Sequence, residues 1–60
     1  MTTKTTCGII KEYYLRGDKE PSYKIGIYIE NHEGLVLAHG EMHSIDRSVL
    51  ERLQTEINKD

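Results

Sequence analysis

From Tyr23 to Glu30 the chain alternates without a slip, with Tyr23, Ile25, Ile27 and Ile29 on one side and Lys24, Gly26, Tyr28 and Glu30 on the other. Three β-branched isoleucines at successive alternate positions fit a pleated strand, so a period of two governs the middle of the chain. A fold that accepts this segment has to bury one whole side of it, which makes it the central strand. The other side is free to meet water or a partner.

Everything else is arranged around a small core. Sixty residues allow one domain, 1–60, with a radius of gyration of about 10 Å, and a chain of that size hides only about 60% of the surface its unfolded form exposes. Leu, Ile and Val make up 14 positions, which keeps the chain out of the low-hydrophobicity disordered class. The single thiol, Cys7, has no internal partner for a disulfide, so the staple of small secreted domains is missing and a reducing, cytoplasmic setting is expected. No apolar run approaches the length of a membrane span, and Met1 to Cys7 lacks the apolar stretch of a signal peptide.

The flanks follow from local chemistry. Residues 1 to 6 are polar and Thr-rich and are expected to form a flexible lead-in. Cys7 to Leu15 favours strand, but the alternation slips at Ile9-Ile10 and again at Tyr13-Tyr14, which predicts a bulge or cover on both faces. Arg16 to Ser22, with Gly17, Asp18 and Pro21, is a polar turn. Asn31-His32-Glu33-Gly34 reads as a four-residue hairpin loop closed by Gly34 in the left-handed region. That loop pairs Glu30 with Leu35, and therefore Ile29 with Val36, Ile27 with Ala38, Ile25 with Gly40, Tyr23 with Met42 and Lys24 with Glu41. A three-residue loop would turn Glu41 into the core beside Ile25.

Ser44 is expected to cap a helix, with Asp46 in its first turn. Ile45, Val49, Leu50, Leu53 and Ile57 recur at spacings of three and four and form one apolar stripe; Arg47 with Glu51 and Arg52 with Glu56 are i,i+4 pairs on the wet side. Ala38 and Gly40 leave room for this helix on the isoleucine face. The expected fold is α+β: a three-stranded antiparallel β-meander with one C-terminal helix on one face, βββα, and a homodimer through the other face.

That other face, with Tyr28, Leu37, His39, Lys24 and Glu41, is the candidate dimer or ligand surface. Residues with no structural task, Tyr14, Arg16, Asp18, Lys19 and Glu20 near the first loop and His32 and Glu33 at the second, are candidate partner contacts. His39, Glu41 and His43 share a side of one strand, but His39 and His43 lie roughly 13 Å apart along it, too far for one ion, so no metal site is expected. No nucleophile stands beside an oriented histidine, no glycine pattern cradles phosphate, and neither catalysis nor a cofactor is expected. Arg16-Gly17-Asp18 is explained by turn chemistry.

Eight Lys and Arg against ten Asp and Glu give a net charge of −2, with +2 in residues 1 to 24 and −4 in residues 25 to 60. This balance argues against a duplex nucleic-acid surface, and the tyrosines are read as core and interface residues before base-stacking platforms. The leading functional expectation is a small non-enzymatic binding protein acting on another macromolecule. Chain length alone adds a phage-encoded inhibitor of a host factor as one version of it. The alternative is a small-ligand or nucleotide-binding module whose site lies at a dimer seam.

Overall fold

In the computed structural model, which describes residues 2–59, the chain is an α+β fold: a four-stranded antiparallel sheet followed by one C-terminal helix. The strands are β1 (Thr3–Cys7), β2 (Lys11–Tyr13), β3 (Ser22–Asn31) and β4 (Val36–Ser44), and the helix is α1 (Arg47–Ile57). β3, the segment of strict alternation, is central: β1 and β2 pair end to end along one of its edges and β4 along the other.

The meander expected with three strands thus has four. The first strand breaks because Cys7 faces Ile27 while Lys11 faces Lys24, so residues 8 to 10 lie against only Ile25 and Gly26. One extra residue makes a bulge at the first slip in alternation, and it settles the Ile9-Ile10 conflict: Ile10 turns into the core and Ile9 out to solvent. The strand also starts earlier than Cys7, since Thr3 to Thr6 already pair with Asn31 to Tyr28, and it ends at Tyr13, before the second slip.

The β3–β4 register differs from expectation by two residues. The Asn31 N–H donates to the Leu35 carbonyl (3.0 Å), and the Gly34 N–H donates to the Asn31 carbonyl (3.0 Å), so the loop is His32-Glu33-Gly34. Asn31 Oδ1 accepts from the N–H groups of Glu33 and Leu35, and Gly34 has φ 85°. Such a loop should have inverted the faces of β4. Instead Ile29 faces Ala38 while Glu30 faces Val36, which leaves Leu37 as an extra residue that restores the phase. Ile27 therefore lies beside Gly40, Ile25 beside Met42, Tyr23 beside Ser44, Tyr28 beside His39, Gly26 beside Glu41 and Lys24 beside His43. From Ala38 onward the sides are as expected, while Val36 now pairs with Glu30 in place of Ile29; the neighbours differ throughout.

α1 is capped by Asp46, not Ser44: Asp46 Oδ1 accepts from the Ser48 N–H (3.0 Å) and hydroxyl (2.7 Å), while Ser44 Oγ accepts from the Asp46 N–H in the turn before it. A cap two residues later puts Ile45 outside the helix and in solvent. The stripe that packs is Leu50, Leu53 and Ile57, against Cys7, Ile10, Ile25, Tyr23 and Ile27. Arg47 bridges Glu51 at 2.8 Å, while no such bridge joins Arg52 to Glu56 among the described residues.

At its C-terminal end the helix reaches the first sheet edge. The Cys7 N–H donates to Asn58 Oδ1 (2.8 Å), Asn58 Nδ2 donates to the Cys7 carbonyl (3.1 Å), and Gln54 Nε2 donates to the Gly8 carbonyl. These amides satisfy backbone groups where the ladder is interrupted by the bulge. Gly40 has nothing within 4 Å of where a Cβ would stand, so the helix does not occupy the space the small β4 residues leave.

Among the described residues only Cys7, Ile10, Ile25 and Leu50 are buried. The molecule measures 46 × 20 × 11 Å with a radius of gyration of 13.4 Å, well above the value of about 10 Å for a compact chain of this length. Its accessible surface is 4944 Å², roughly 900 Å² more than a compact monomer of its mass exposes. The excess belongs to a slab with one side roofed.

Candidate binding face

The unroofed side of the sheet is organised by two glycines. Gly8 donates its N–H to the Gly26 carbonyl (2.9 Å), so the two lie side by side across β1 and β3. The Tyr28 side chain folds back along β3 over them. A Cβ on Gly26 would stand 2.6 Å from Tyr28 Oη and 3.0 Å from Cζ, and one on Gly8 would stand 3.3 Å from Cε2. The ring therefore lies on bare backbone, and Tyr28 as a whole is 38% exposed.

Around the ring the strands deliver polar groups. His39 lies across from Tyr28, their ring centroids 6.3 Å apart and their planes tilted by 35°. Lys24 Nζ stands 3.8 Å from Glu41 Oε2 and 5.8 Å from the centre of the Tyr13 ring. The Tyr13 hydroxyl meets His43 Nδ1 at 3.0 Å, the two rings edge to face. His43, Tyr13, Lys24 and Glu41 thus form one chain of contacts, and Tyr28 with His39 forms a second pair on the same face. An open groove of about 540 Å³ lies on this face, lined by Gly8, Ile9, Lys11, Lys24, Gly26, Tyr28, His39, Gly40 and Glu41.

The face offers an aromatic plane, two lysines side by side at Lys11 and Lys24, one carboxylate and an isoleucine rim. That suits an amphipathic surface such as a protein segment, or a planar ligand carrying an anionic group. Among the described residues no three His, Cys, Asp or Glu side chains converge to hold a metal ion. No helix is long and apolar enough to cross a membrane.

Four of the five face residues expected from sequence, Tyr28, His39, Lys24 and Glu41, come together at this groove. Leu37 does not join them; it is exposed in the β4 bulge. Sequence reasoning put His43 and Gly26 on this side and offered Tyr13 or Tyr14 from the first strand, but it missed Ile9, Lys11 and the pairing of Gly8 with Gly26 beneath Tyr28. The signal was the slip at Ile9-Ile10: inserting one residue there puts Lys11 and Tyr13 on the side of Lys24.

The loop candidates are split. Asp18, Lys19 and Glu20 line a shallow dent with Pro21, Ser22 and Ile45 at one end of the slab, while His32 and Glu33, whose side chains approach to 3.6 Å, sit at the other. Ten residues of β3, roughly 30 Å, separate them. Tyr14 and Arg16 are exposed after β2, and the Glu12 carboxylate beside Tyr14 pushes the phenol's pKa up. These loops do not form one surface with each other.

No protein-family model, curated protein or solved structure matches the chain.

Proposed function

We propose that this chain is a non-enzymatic binding protein that acts by seating another macromolecule on the open face of its sheet. The observation that carries the reading is the unroofed groove around Tyr28. An exposed aromatic ring held on glycine backbone, with lysines and a carboxylate fixed nearby, is a preorganised contact surface. A further support is the surplus of accessible surface, comparable to the roughly 800 Å² that each partner buries in a standard protein interface. The single buried thiol suits a reducing compartment such as the cytoplasm.

The test is site-specific photocrosslinking in the native host. A photoreactive side chain in place of Tyr28 should give one dominant macromolecular adduct, absent when the same group replaces Arg52 on the wet side of α1, and abolished by Lys24→Glu. Adducts that are identical at both positions, or none at Tyr28, would refute the reading.

A second reading is favoured by the groove's own chemistry: Lys11 and Lys24 beside an aromatic plane suit a small planar anion such as a nucleotide. Native mass spectrometry separates the two, since a retained small molecule that is lost on Tyr28→Ala supports the ligand reading.

A further inference from the structure

The two outer edges of the sheet are treated differently. On the β1–β2 side the ladder is broken by the bulge, Lys4 and Lys11 lie along it, and the Asn58 amide takes up both backbone groups of Cys7. These are the devices that keep an edge from pairing further. β4 has none of them at its centre. It pairs with β3 and no other strand, its residues from Val36 to His43 are all exposed, and it carries no Pro, Lys or Arg.

The hydrogen-bond phase says which β4 groups are free. Gly26 turns its carbonyl to β1, while Asn31 turns its N–H to the Leu35 carbonyl, so even residues of β3 face β1 and β2 and odd residues face β4. Ala38, Gly40 and Met42, opposite Ile29, Ile27 and Ile25, are therefore bonded inward. His39, Glu41 and His43 direct their N–H and C=O groups to the open edge.

The geometry points to a second copy of this chain as the occupant of that edge, paired antiparallel through β4 about a two-fold axis at Gly40. β4 runs from Val36 to Ser44, and Gly40 is its midpoint. In this register His39 faces the partner's Glu41 and Glu41 faces the partner's His39, and these pairs exchange four backbone hydrogen bonds. Imidazole meets carboxylate twice, whereas an axis at Glu41 sets two carboxylates against each other and one at His39 sets two imidazoles together. An axis at Met42 also opposes Glu41 to histidine, but leaves the N-terminal half of β4 unpaired.

At the axis the two Gly40 residues form a non-hydrogen-bonded pair, the kind in which Cα atoms approach to about 4.5 Å. Gly40, His39 and Glu41 also line the groove described above, so the seam would join the grooves of two subunits into one. This inference rests on the β4 edge and not on the open face, so it stands or falls independently of the proposed function.

Gly40→Cys tests it in the full-length chain, because a Cβ there meets nothing within 4 Å. Under mild oxidation this variant should become a covalent dimer, whereas Ala38→Cys, placed roughly 13 Å from its own symmetry mate, should not. By sedimentation equilibrium, His39→Glu should weaken the dimer about tenfold, since each pair then sets two carboxylates against each other, and Glu41→Lys should weaken it because each imidazole N–H loses its carboxylate acceptor. The double variant should recover the lost affinity, with circular dichroism confirming that each variant is folded. Equal crosslinking at 38 and 40, a wild-type monomer at high micromolar concentration, or a folded double variant that stays as weak as the singles would overturn the inference.

Discussion

Asn58 and Asp46 show how single side chains close this fold. Asn58 presents its amide to both backbone groups of Cys7, a residue 51 positions away, and so stands in for a missing strand. Asn58→Ala should cost about 1–3 kcal/mol in urea unfolding, because two partly buried backbone groups lose their partners. The same change should speed thiol labelling of Cys7, whose burial pushes its pKa up and keeps it inert in the folded chain. Asp46 is held below the ordinary aspartate pKa by the Ser48 hydroxyl and N–H. With the folded pKa below the unfolded one, its contribution is fully present above the unfolded value and fades as pH falls through the folded one. Thermal melts below about pH 4 should therefore show a shallower loss of stability for Asp46→Ala than for the wild type.

At the scale of elements, what was legible in the sequence was whatever a local period specifies. The strict alternation of Tyr23 to Glu30 fixed β3 and its two faces, and Leu50, Leu53 and Ile57 fixed the packed stripe of α1. The cap lay two residues off because Ser44 and Asp46 are both competent caps, and only the path of the turn between them selects one. The β3–β4 register was missed because a hairpin loop and a bulge compensate: a shorter loop inverts β4 and the extra residue at Leu37 inverts it back, leaving no trace in the alternation. The face around Tyr28 depends instead on a single uncompensated bulge at Gly8 to Ile10, which the Ile9-Ile10 slip does mark. Gly26→Ala tests that face, since the new methyl meets the far end of a flexible side chain and should lift the Tyr28 ring off the sheet. The expected outcome is an upfield-shift pattern lost between the Tyr28 ring and Gly8 in NMR spectra, with the fold retained and a coupling of about 0.5–1 kcal/mol between Gly26→Ala and Tyr28→Ala in a double-variant cycle.

The whole molecule is long for its mass because the β3–β4 hairpin runs beyond the helix that covers its base. Four buried side chains are a small core, and a domain of this size has only about 3–5 kcal/mol to draw on. Leu50 is fully buried at the centre of that core, and Leu50→Ala should cost about 2–5 kcal/mol. The variant is therefore expected to be largely unfolded at 25 °C by circular dichroism, whereas Val49→Ala, half exposed one position earlier, should remain folded. Retained folding in Leu50→Ala would mean that stability comes from somewhere other than this cluster.

The sequence by itself determined the element types, the central strand and the side to which each β3 residue points, because periodicity and β-branching act within a few residues. Tertiary structure alone decided the bulge at Leu37, the choice between bulge and cover at Ile9-Ile10, the choice of cap, the amide lock on Cys7 and the reach of the hairpin past the helix. Each of those depends on how a residue meets another far along the chain, and the energies involved come from pairing and packing that no local pattern contains.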